Sequence, residues 1–323
     1  MSFRIGRISR KQNYQTIINY LFFQMKMKTS FFLSAVMAAG LLASCSNSEE
    51  VFNEQVTDGE HSGAQLNIVP TVSSESTETR AGFDPKTDWA AGDAMGLFMY
   101  KSSGWGDAYP RYDAQNNKST RQANSWSQAS PVYLLAEKAT IWTYYPYNQA
   151  VADGTKIPVP INVGTSVDYM WGKSTNQVSV IETDARIPMK HVLSQFVVRL
   201  KVSPEYHNDG NLTSAKLKAT ASKFATTGTM NLNDGGKITF QPTSTELTWS
   251  PNTTVPAQGQ QAVDYAAAIY PMALAAGEVS LEVVIDGATY TYAIPQITWE
   301  AGKRYIYSIT CLLYTSPSPR DRT

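Results

Sequence analysis

The chain has few of the residues from which metal sites, disulfide frameworks and covalent catalytic sites are built. Only two of its 323 residues are cysteines and three are histidines. Two cysteines allow at most one disulfide, and three histidines leave almost no material for a zinc site. We therefore expect neither a metal nor any other cofactor.

The chain also lacks an excess of either charge. Lys plus Arg and Asp plus Glu number 27 each, so the formal net charge is zero. No extended basic face is visible, and nucleic acid is therefore not an expected partner. Phosphate-binding loops and the HExxH and GxSxG motifs are absent, which predicts that the protein is not an enzyme. We expect His191, at the entrance to a strand, to be a structural residue hydrogen-bonded at a sheet end.

Aromatic residues and period-two patterns are plentiful, with 18 Tyr, 11 Phe and 7 Trp. Residues 196–202 and 279–285 alternate apolar and polar side chains, as half-buried strands do. Asp286-Gly287 and residues 233–236 mark two hairpins, because Asp-Gly supplies the positive φ values of a type I′ turn. No long segment after residue 44 has a convincing helical period. The sequence therefore predicts an all-β fold made of β-sandwiches.

Two loosely repeated patterns predict two similar halves. Residues 89–92 and 299–302 share the pattern Trp-x-Ala-Gly, and a Tyr-Pro pair ends an apolar strand in each half. A polar stretch at residues 185–188 is expected to interrupt the strands. We therefore place one sandwich at residues 64–187 and the other at residues 188–310.

Residues 25–44 have the pattern of a bacterial secretion signal. Lys26 and Lys28 precede an apolar run that is about half of the ~20 residues a membrane-spanning helix needs. Leu42-Ala43-Ser44-Cys45 matches the lipobox, in which the cysteine thiol is acylated and the cysteine becomes the first residue. We predict that Cys45 carries the lipid. The alternative is a buried free cysteine in a core helix.

The segments on either side of the signal have simpler interpretations. Residues 1–24 fit no part of it and are expected to be upstream sequence read from an early start codon, unless the signal has an unusually long basic region. Residues 45–63 are polar and acidic, which is typical of a solvated tether.

Two tryptophans suggest a second kind of site. Trp105 and Trp126 lie in a region rich in Gly, Asn and Ser, and their rings could stack on sugars. The alternative is that they cap the open end of a sandwich.

Five segments taken in order resemble a known family. They are Thr-Arg-Ala at 79–81, DWAAGDAMGLF at 88–98, YYPY at 144–147, HVLSQF at 191–196 and WEAGKRYIY at 299–307. Together with the lipobox they resemble the fimbrillin-like lipoproteins of Bacteroidales, the subunits of pili assembled by cleavage and strand exchange. The resemblance covers roughly residues 45–310.

The resemblance implies two transthyretin-like β-sandwiches and a structural role on the outer membrane and in a surface pilus. In this family an arginine-specific protease removes the first strand, and a terminal strand of the next subunit fills the vacated groove. Here residues 64–72 would be the removable strand and residues 73–81 the processing loop, with the cut between Arg80 and Ala81. The expected partners are other pilus subunits, the outer membrane through the lipid, and the protease.

Two other functions remain open at this point. One is an uncleaved anchor or accessory lipoprotein of the pilus, in which Arg80 is only a linker residue. The other is a surface glycan-binding lipoprotein, with Trp105 and Trp126 as its platform.

The composition changes abruptly after residues 305–310, which form a clean alternating strand. Residues 311–323 contain Ser-Pro-Ser-Pro-Arg and resemble one reading frame of the transposon-end adapter used in sequencing libraries. We predict that the authentic chain continues differently after about Thr310 and that the C-terminal sandwich is incomplete here. The alternative is a genuine disordered tail.

Overall fold

Every regular element in the described part of the chain is a β-strand, which confirms the all-β prediction. The computed structural model of the protein describes residues 64–72, 81–82, 84–110, 114–163, 167–203, 206, 208–250, 252–256 and 263–311. The predictions for residues 1–63 with Cys45, for Arg80 and for residues 312–323 lie outside these ranges. Within the ranges, no helix has the length and apolar character to span a membrane.

The strands of the N-terminal half are β1 (Ala64–Gln65), β2 (Asn67–Val72), β3 (Ala81–Gly82), β4 (Ala94–Lys101), β5 (Asn117–Arg121), β6 (Trp126–Gln128), β7 (Tyr133–Leu134), β8 (Ala139–Tyr145), β9 (Ile157–Pro158), β10 (Met170–Lys173) and β11 (Asp184–His191). The strands of the C-terminal half are β12 (Ser194–Val202), β13 (Asn211–Ala219), β14 (Gly228–Asn231), β15 (Lys237–Phe240), β16 (Glu246–Trp249), β17 (Thr253–Thr254), β18 (Val263–Ile269), β19 (Met272–Leu274), β20 (Val279–Ile285), β21 (Ala288–Ala293), β22 (Ile297–Trp299) and β23 (Arg304–Cys311).

Seven strands form the N-terminal sheet, in the order β2-β11-β10-β8-β4-β5-β6. Strand β2 lies at one edge and runs parallel to β11, with Asn67 opposite Asp184 and Val72 opposite Met189. The other neighbours in the sheet pair antiparallel. Within the described residues, β2 therefore has a single neighbouring strand in this sheet.

Both faces of the N-terminal sheet are covered, because apolar side chains alternate between them along β4. Met95 and Leu97 point into a cluster whose members all lie between residues 66 and 189, here called the N-terminal core. Phe98 points the other way, into a central core that also contains Val197 and Ala266 of the C-terminal half. The central core thus joins the two halves. Pairing of β9 with β14 links them further.

The C-terminal half has a core of its own, whose members lie between residues 196 and 309. One wall is a four-stranded sheet in the order β23-β12-β18-β3. The other is a sheet in the order β16-β13-β20-β21, with β17 paired to β13. Along β20 the burial alternates strictly, as the period-two pattern of residues 279–285 predicts.

The interruption expected at residues 185–188 is wrong. These residues lie inside β11, where Ala185, Ile187 and Met189 are buried and the residues between them, Arg186 and Pro188, face outward. A polar stretch of this kind is one face of an alternating strand, not a break in it. The predicted boundary at 187/188 therefore falls within a strand, while the division into two transthyretin-like sandwiches stays a prediction.

Local turn chemistry was predicted more accurately. Asp286 and Gly287 have φ values of 49° and 77° and connect β20 to β21 as a two-residue turn, as expected. The hairpin at residues 233–236 also forms, but β14 and β15 end their pairing at Asn231 and Lys237, so its loop is longer. In that loop the positive φ values belong to Gly235 and Gly236.

The repeated Trp-x-Ala-Gly pattern forms the same kind of turn in both halves. In the first, the Asp93 amide donates to the Ala90 carbonyl at 3.1 Å, and β4 follows. In the second, the Lys303 amide donates to the Glu300 carbonyl at 3.3 Å, and β23 follows. The glycine of each turn has a positive φ, 92° and 68°, which explains why glycine is needed there.

Candidate functional site

The candidate site is the N-terminal strand, residues 64–72, together with the residues that hold it in the N-terminal sheet. Its sequence alternates, and so does its burial: Leu66 and Ile68 are each 3% exposed and lie in the N-terminal core, whereas Val69 is 40% exposed. Buried alternate side chains at a sheet edge give this strand an apolar inner face. Its outer face is open to solvent.

The first part of the strand is bonded on two sides. The Leu66 amide donates to the Val132 carbonyl at 2.8 Å, and the Asn67 amide donates to the Thr183 carbonyl at 3.0 Å. The buried side chain of Gln128 connects the strand to the segment that contains Val132. Its Nε2 donates to the Leu66 carbonyl at 2.9 Å, and its Oε1 accepts from the Val132 amide at 3.1 Å.

Two prolines lie in the second part of the β2–β11 pairing without interrupting its ladder. Pro70 lies opposite Ile187, and Pro188 lies opposite Thr71. In a parallel pair only alternate residues bond the neighbouring strand, and because the Asn67 amide donates to the Thr183 carbonyl, the residues of β2 that face β11 are Asn67, Val69 and Thr71. The missing amide hydrogens of Pro70 and Pro188 therefore lie on the sides of their strands that face away from this ladder. The Pro70 carbonyl likewise points away from β11, and a side chain bonds it there.

Trp89 supplies the bond to Pro70. Its indole Nε1 donates to the Pro70 carbonyl at 3.1 Å. The ring packs edge-to-face on Trp126, with centroids 5.2 Å apart, and on Tyr145, with centroids 5.4 Å apart. Edge-to-face packing on two neighbours restricts the ring and so fixes the direction of its N–H.

The loop that carries Trp89, residues 84–93, is closed by an ion pair. Lys86 Nζ lies 2.7 Å from Asp93 Oδ2, and both side chains are largely buried. The same carboxylate accepts from the Ala90 amide at 2.7 Å and from the Tyr145 hydroxyl at 3.1 Å. Burial opposes the charged form of Asp93, but the hydrogen bonds from Lys86 and the Ala90 amide outweigh it and hold the pKa of Asp93 below its ordinary value.

The other end of this loop is bonded to the end of β11. The Lys86 amide donates to Asp168 Oδ2 at 2.8 Å, and the same oxygen lies 2.8 Å from His191 Nδ1. His191 is thus hydrogen-bonded at a sheet end, which confirms the prediction for it. A depression of about 470 Å³ opens here, lined by residues 84–90, Tyr145, Val167 and Asp168.

The predicted cut lies between the N-terminal strand and this loop. Arg80 is outside the described residues, but the backbone of Ala81–Gly82 forms β3, which runs parallel to β18 with Ala81 opposite Tyr265. The chain therefore leaves the N-terminal sheet after Val72, pairs with the C-terminal half at Ala81, and returns to the N-terminal half through the 84–93 loop.

The structure does not bring Trp105 and Trp126 together. Trp105 packs on Phe98, Tyr100 and Trp142 in the central core. Trp126 packs on Trp89 against the N-terminal core, which covers the opposite face of the N-terminal sheet. A single sugar platform made of both rings is therefore wrong, because the sheet separates them.

Sequence reasoning did not identify Trp89 and Gln128 as residues that hold the strand. Trp89 lies in the Trp-x-Ala-Gly pattern, which gave a signal for the turn but not for the contact with Pro70. Nothing in the sequence singles out Gln128. Among the residues that the structure describes, no group of three or more His, Cys, Asp or Glu side chains could hold a metal ion.

Two sequence comparisons connect the chain to fimbrial proteins. The family model described as fimbrillin-like matches residues 79–313. Fim1C of Bacteroides uniformis, a candidate fimbrium subunit, is 28% identical over 309 residues, and the match covers 88% of this chain and 91% of that relative.

Two crystal structures of candidate cell adhesion proteins share the fold. One, from Bacteroides uniformis, has a TM-score of 0.56 at 20% identity, and the match covers 77% of this chain and 94% of that protein's chain. The other, from Bacteroides ovatus, has a TM-score of 0.55 at 17% identity, and the match covers 77% of this chain and 92% of that protein's chain. Since the family model spans most of the sequence, the chain belongs to the fimbrillin-like family.

Proposed function

We propose that the protein is a pilus subunit that polymerises by exchanging its N-terminal strand. Residues 64–72 occupy the edge position that a strand of another subunit later takes, until an arginine-specific protease cuts between Arg80 and Ala81. The observation that carries the proposal is the position of β2: it is an edge strand with a buried inner face, and it precedes the predicted cut. Membership of the fimbrillin-like family and the similarity to Fim1C support this function.

The physical reason for exchange is the groove that the strand would leave. Leu66 and Ile68 fill part of the N-terminal core, and burying two such side chains contributes about 3–6 kcal/mol. Loss of the strand also uncovers the edge of β11, whose main-chain groups need partners. An extended segment of another subunit satisfies both needs, because it supplies main-chain hydrogen bonds and alternate apolar side chains.

We infer that the subunit reaches the cell surface as an outer-membrane lipoprotein acylated at Cys45. A lipid on the N-terminal residue is lost with the removed strand, which releases the cut subunit into the fibre. Cys45→Ala should abolish partitioning into a detergent phase and labelling by a fatty-acid analogue, and unchanged labelling would contradict the assignment.

The cleavage step is tested by Arg80→Lys. This change keeps the positive charge but removes the residue that an arginine-specific protease requires. We expect the variant to fold normally, to remain uncut and to form no detergent-resistant polymers. The matched control is Arg186→Lys, at an arginine whose side chain is 65% exposed on β11, and this variant should be cut and should polymerise.

The test also separates the pilus subunit from an anchor subunit. If wild-type protein on the surface begins at lipidated Cys45 and forms no polymers, the uncleaved anchor or accessory function is correct. If Arg80→Lys polymerises with wild-type processing, Arg80 is only a linker residue.

A further inference from the structure

We propose that two side chains, Trp89 and Gln128, are latches that retain the N-terminal strand after the chain has been cut. The proposal rests on the proposed function, since it concerns the strand whose exchange drives polymerisation. It assigns to these residues control over when the strand leaves. Cleavage and strand release would then be separate steps.

The latches bind main-chain carbonyls at two points of the strand. Gln128 Nε2 donates to the Leu66 carbonyl at 2.9 Å, and Trp89 Nε1 donates to the Pro70 carbonyl at 3.1 Å. Ile68, which is buried in the N-terminal core, lies between the two points. A carbonyl is present at every residue, so such latches retain the strand whatever side chains it carries.

Both latches belong to the part of the chain that stays behind. Trp89 and Gln128 follow the predicted cut in the sequence, whereas Leu66 and Pro70 precede it. A cut between Arg80 and Ala81 therefore breaks the covalent connection but neither of these hydrogen bonds. The Ala81–Gly82 backbone pairs with β18, so the new end of the body is also held away from β2 by its own strand pairing.

Each latch is held in place by contacts that do not involve the strand. The Gln128 amide is fixed by the Val132 amide, which donates to its Oε1 at 3.1 Å. Trp89 is fixed by Trp126 and Tyr145, and its loop is closed by the Lys86–Asp93 ion pair. Donors that are already held in position lose little conformational entropy when they bond to a strand. They also remain directed at the groove after the strand has left.

The latches bond the side of the strand that faces away from the ladder. The Asn67 amide donates to the β11 side, so the residues that alternate with it, among them Leu66 and Pro70, direct their carbonyls away from β11 and toward Gln128 and Trp89. A strand with one ladder at a sheet edge is removable, and the bonds to its other side add to its retention. An incoming strand must therefore displace the old one rather than enter an empty groove.

The experiment measures amide hydrogen exchange of residues 66–72, except Pro70, which has no amide hydrogen, in the purified, uncut chain. Trp89→Phe keeps an aromatic ring but removes the donor, and Gln128→Met keeps the length of the side chain but removes both polar atoms. Each variant should raise exchange of residues 66–72 roughly five- to tenfold, the effect of one net hydrogen bond on local opening. Exchange of β20, in the C-terminal half, should be unchanged.

Trp105→Phe is the matched control, because Trp105 is also a partly buried aromatic but packs on the opposite face of the sheet. It should leave exchange of residues 66–72 at the wild-type rate. Equal rates in wild type and in both latch variants, or an equal rise in Trp105→Phe, would overturn the proposal. If Trp89→Phe also raises exchange in β20, the variant is destabilised as a whole. The proposal is then accepted or rejected on the result for Gln128→Met.

A second measurement tests retention after the cut. Protein cleaved in vitro at Arg80 should keep the fragment that contains residues 64–72 through gel filtration, and the latch variants should lose it roughly five- to tenfold faster. Immediate loss of the fragment from wild-type protein would refute retention. Neither measurement uses polymers, so a failure of the proposed function would appear only in the polymerisation assay with Arg80→Lys.

Discussion

Replacing Ile68 by alanine is expected to destabilise the folded chain much more than replacing its neighbour Val69. Both residues are β-branched and lie on β2, so the change in strand propensity is similar for the two. Ile68 is 3% exposed and packs in the N-terminal core, whereas Val69 is 40% exposed. Ile68→Ala removes buried methyl groups and leaves a cavity, at a cost of about 2–5 kcal/mol. Val69→Ala should cost less than about 1 kcal/mol.

Urea unfolding followed by circular dichroism measures the difference. With a slope of about 2–3 kcal/mol per molar urea, a loss of about 3 kcal/mol lowers the midpoint by roughly 1 M or more. Val69→Ala should shift the midpoint by less than half as much. The slope itself should stay the same in both variants, because neither change alters the area exposed on unfolding by much.

Equal midpoints for the two variants would refute the description of the candidate site. The two faces of a strand exchange when its register slips by one residue, so the pair of substitutions reports directly on the register between β2 and β11. A larger effect at Val69 than at Ile68 would mean that the strand presents its other face to the core. The groove proposed for an incoming strand would then have different pockets.

Two further predictions concern charged groups. Asp264→Asn should cost about 3–5 kcal/mol of unfolding free energy, because the Asp264 carboxylate is 4% exposed and the change removes the negative charge that Arg199 and Arg304 share. The control in urea unfolding is Asp234→Asn, whose carboxylate is 61% exposed and which should cost less than about 1 kcal/mol. Equal losses in the two variants would contradict the prediction. Asp93 has a pKa below its ordinary value of 3.8 because its hydrogen bonds outweigh the effect of burial. The charged carboxylate therefore stabilises the folded chain above that pH, and this stabilisation is lost as the pH falls through the folded-state pKa. Asp93→Asn should therefore flatten the loss of stability below about pH 4, and an unchanged pH profile of thermal unfolding would show that Asp93 contributes nothing to it.

Local features of this fold were predictable from the sequence because they depend on neighbouring residues. Alternation identified the strand at 279–285, and Asp286-Gly287 identified its hairpin, since both signals act over a few residues. The Trp-x-Ala-Gly turns were visible for the same reason. The resemblance to the fimbrillin-like family was carried by the order of such short segments, and the family model confirms it.

The sequence was misleading where one face of a strand resembled a loop. Residues 185–188 contain polar residues and a proline, which suggested a boundary, but they belong to β11. The alternation there is as clear as in other strands once the buried partners Ala185 and Ile187 are known. Proline inside the strand hid the pattern, because proline is rare in a strand with a neighbour on each side.

The contacts of the candidate site were decided by tertiary structure alone. Asn67 lies opposite Asp184, a residue 117 positions later, and no local pattern sets such a pairing. Trp105 and Trp126 are close in sequence and similar in surroundings, yet the sheet places them on opposite faces. Trp89 reaches Pro70 because the chain crosses to the C-terminal half and back between them. Periodicity fixes which side chains share a face of a strand, but only the packing of distant strands determines what that face meets.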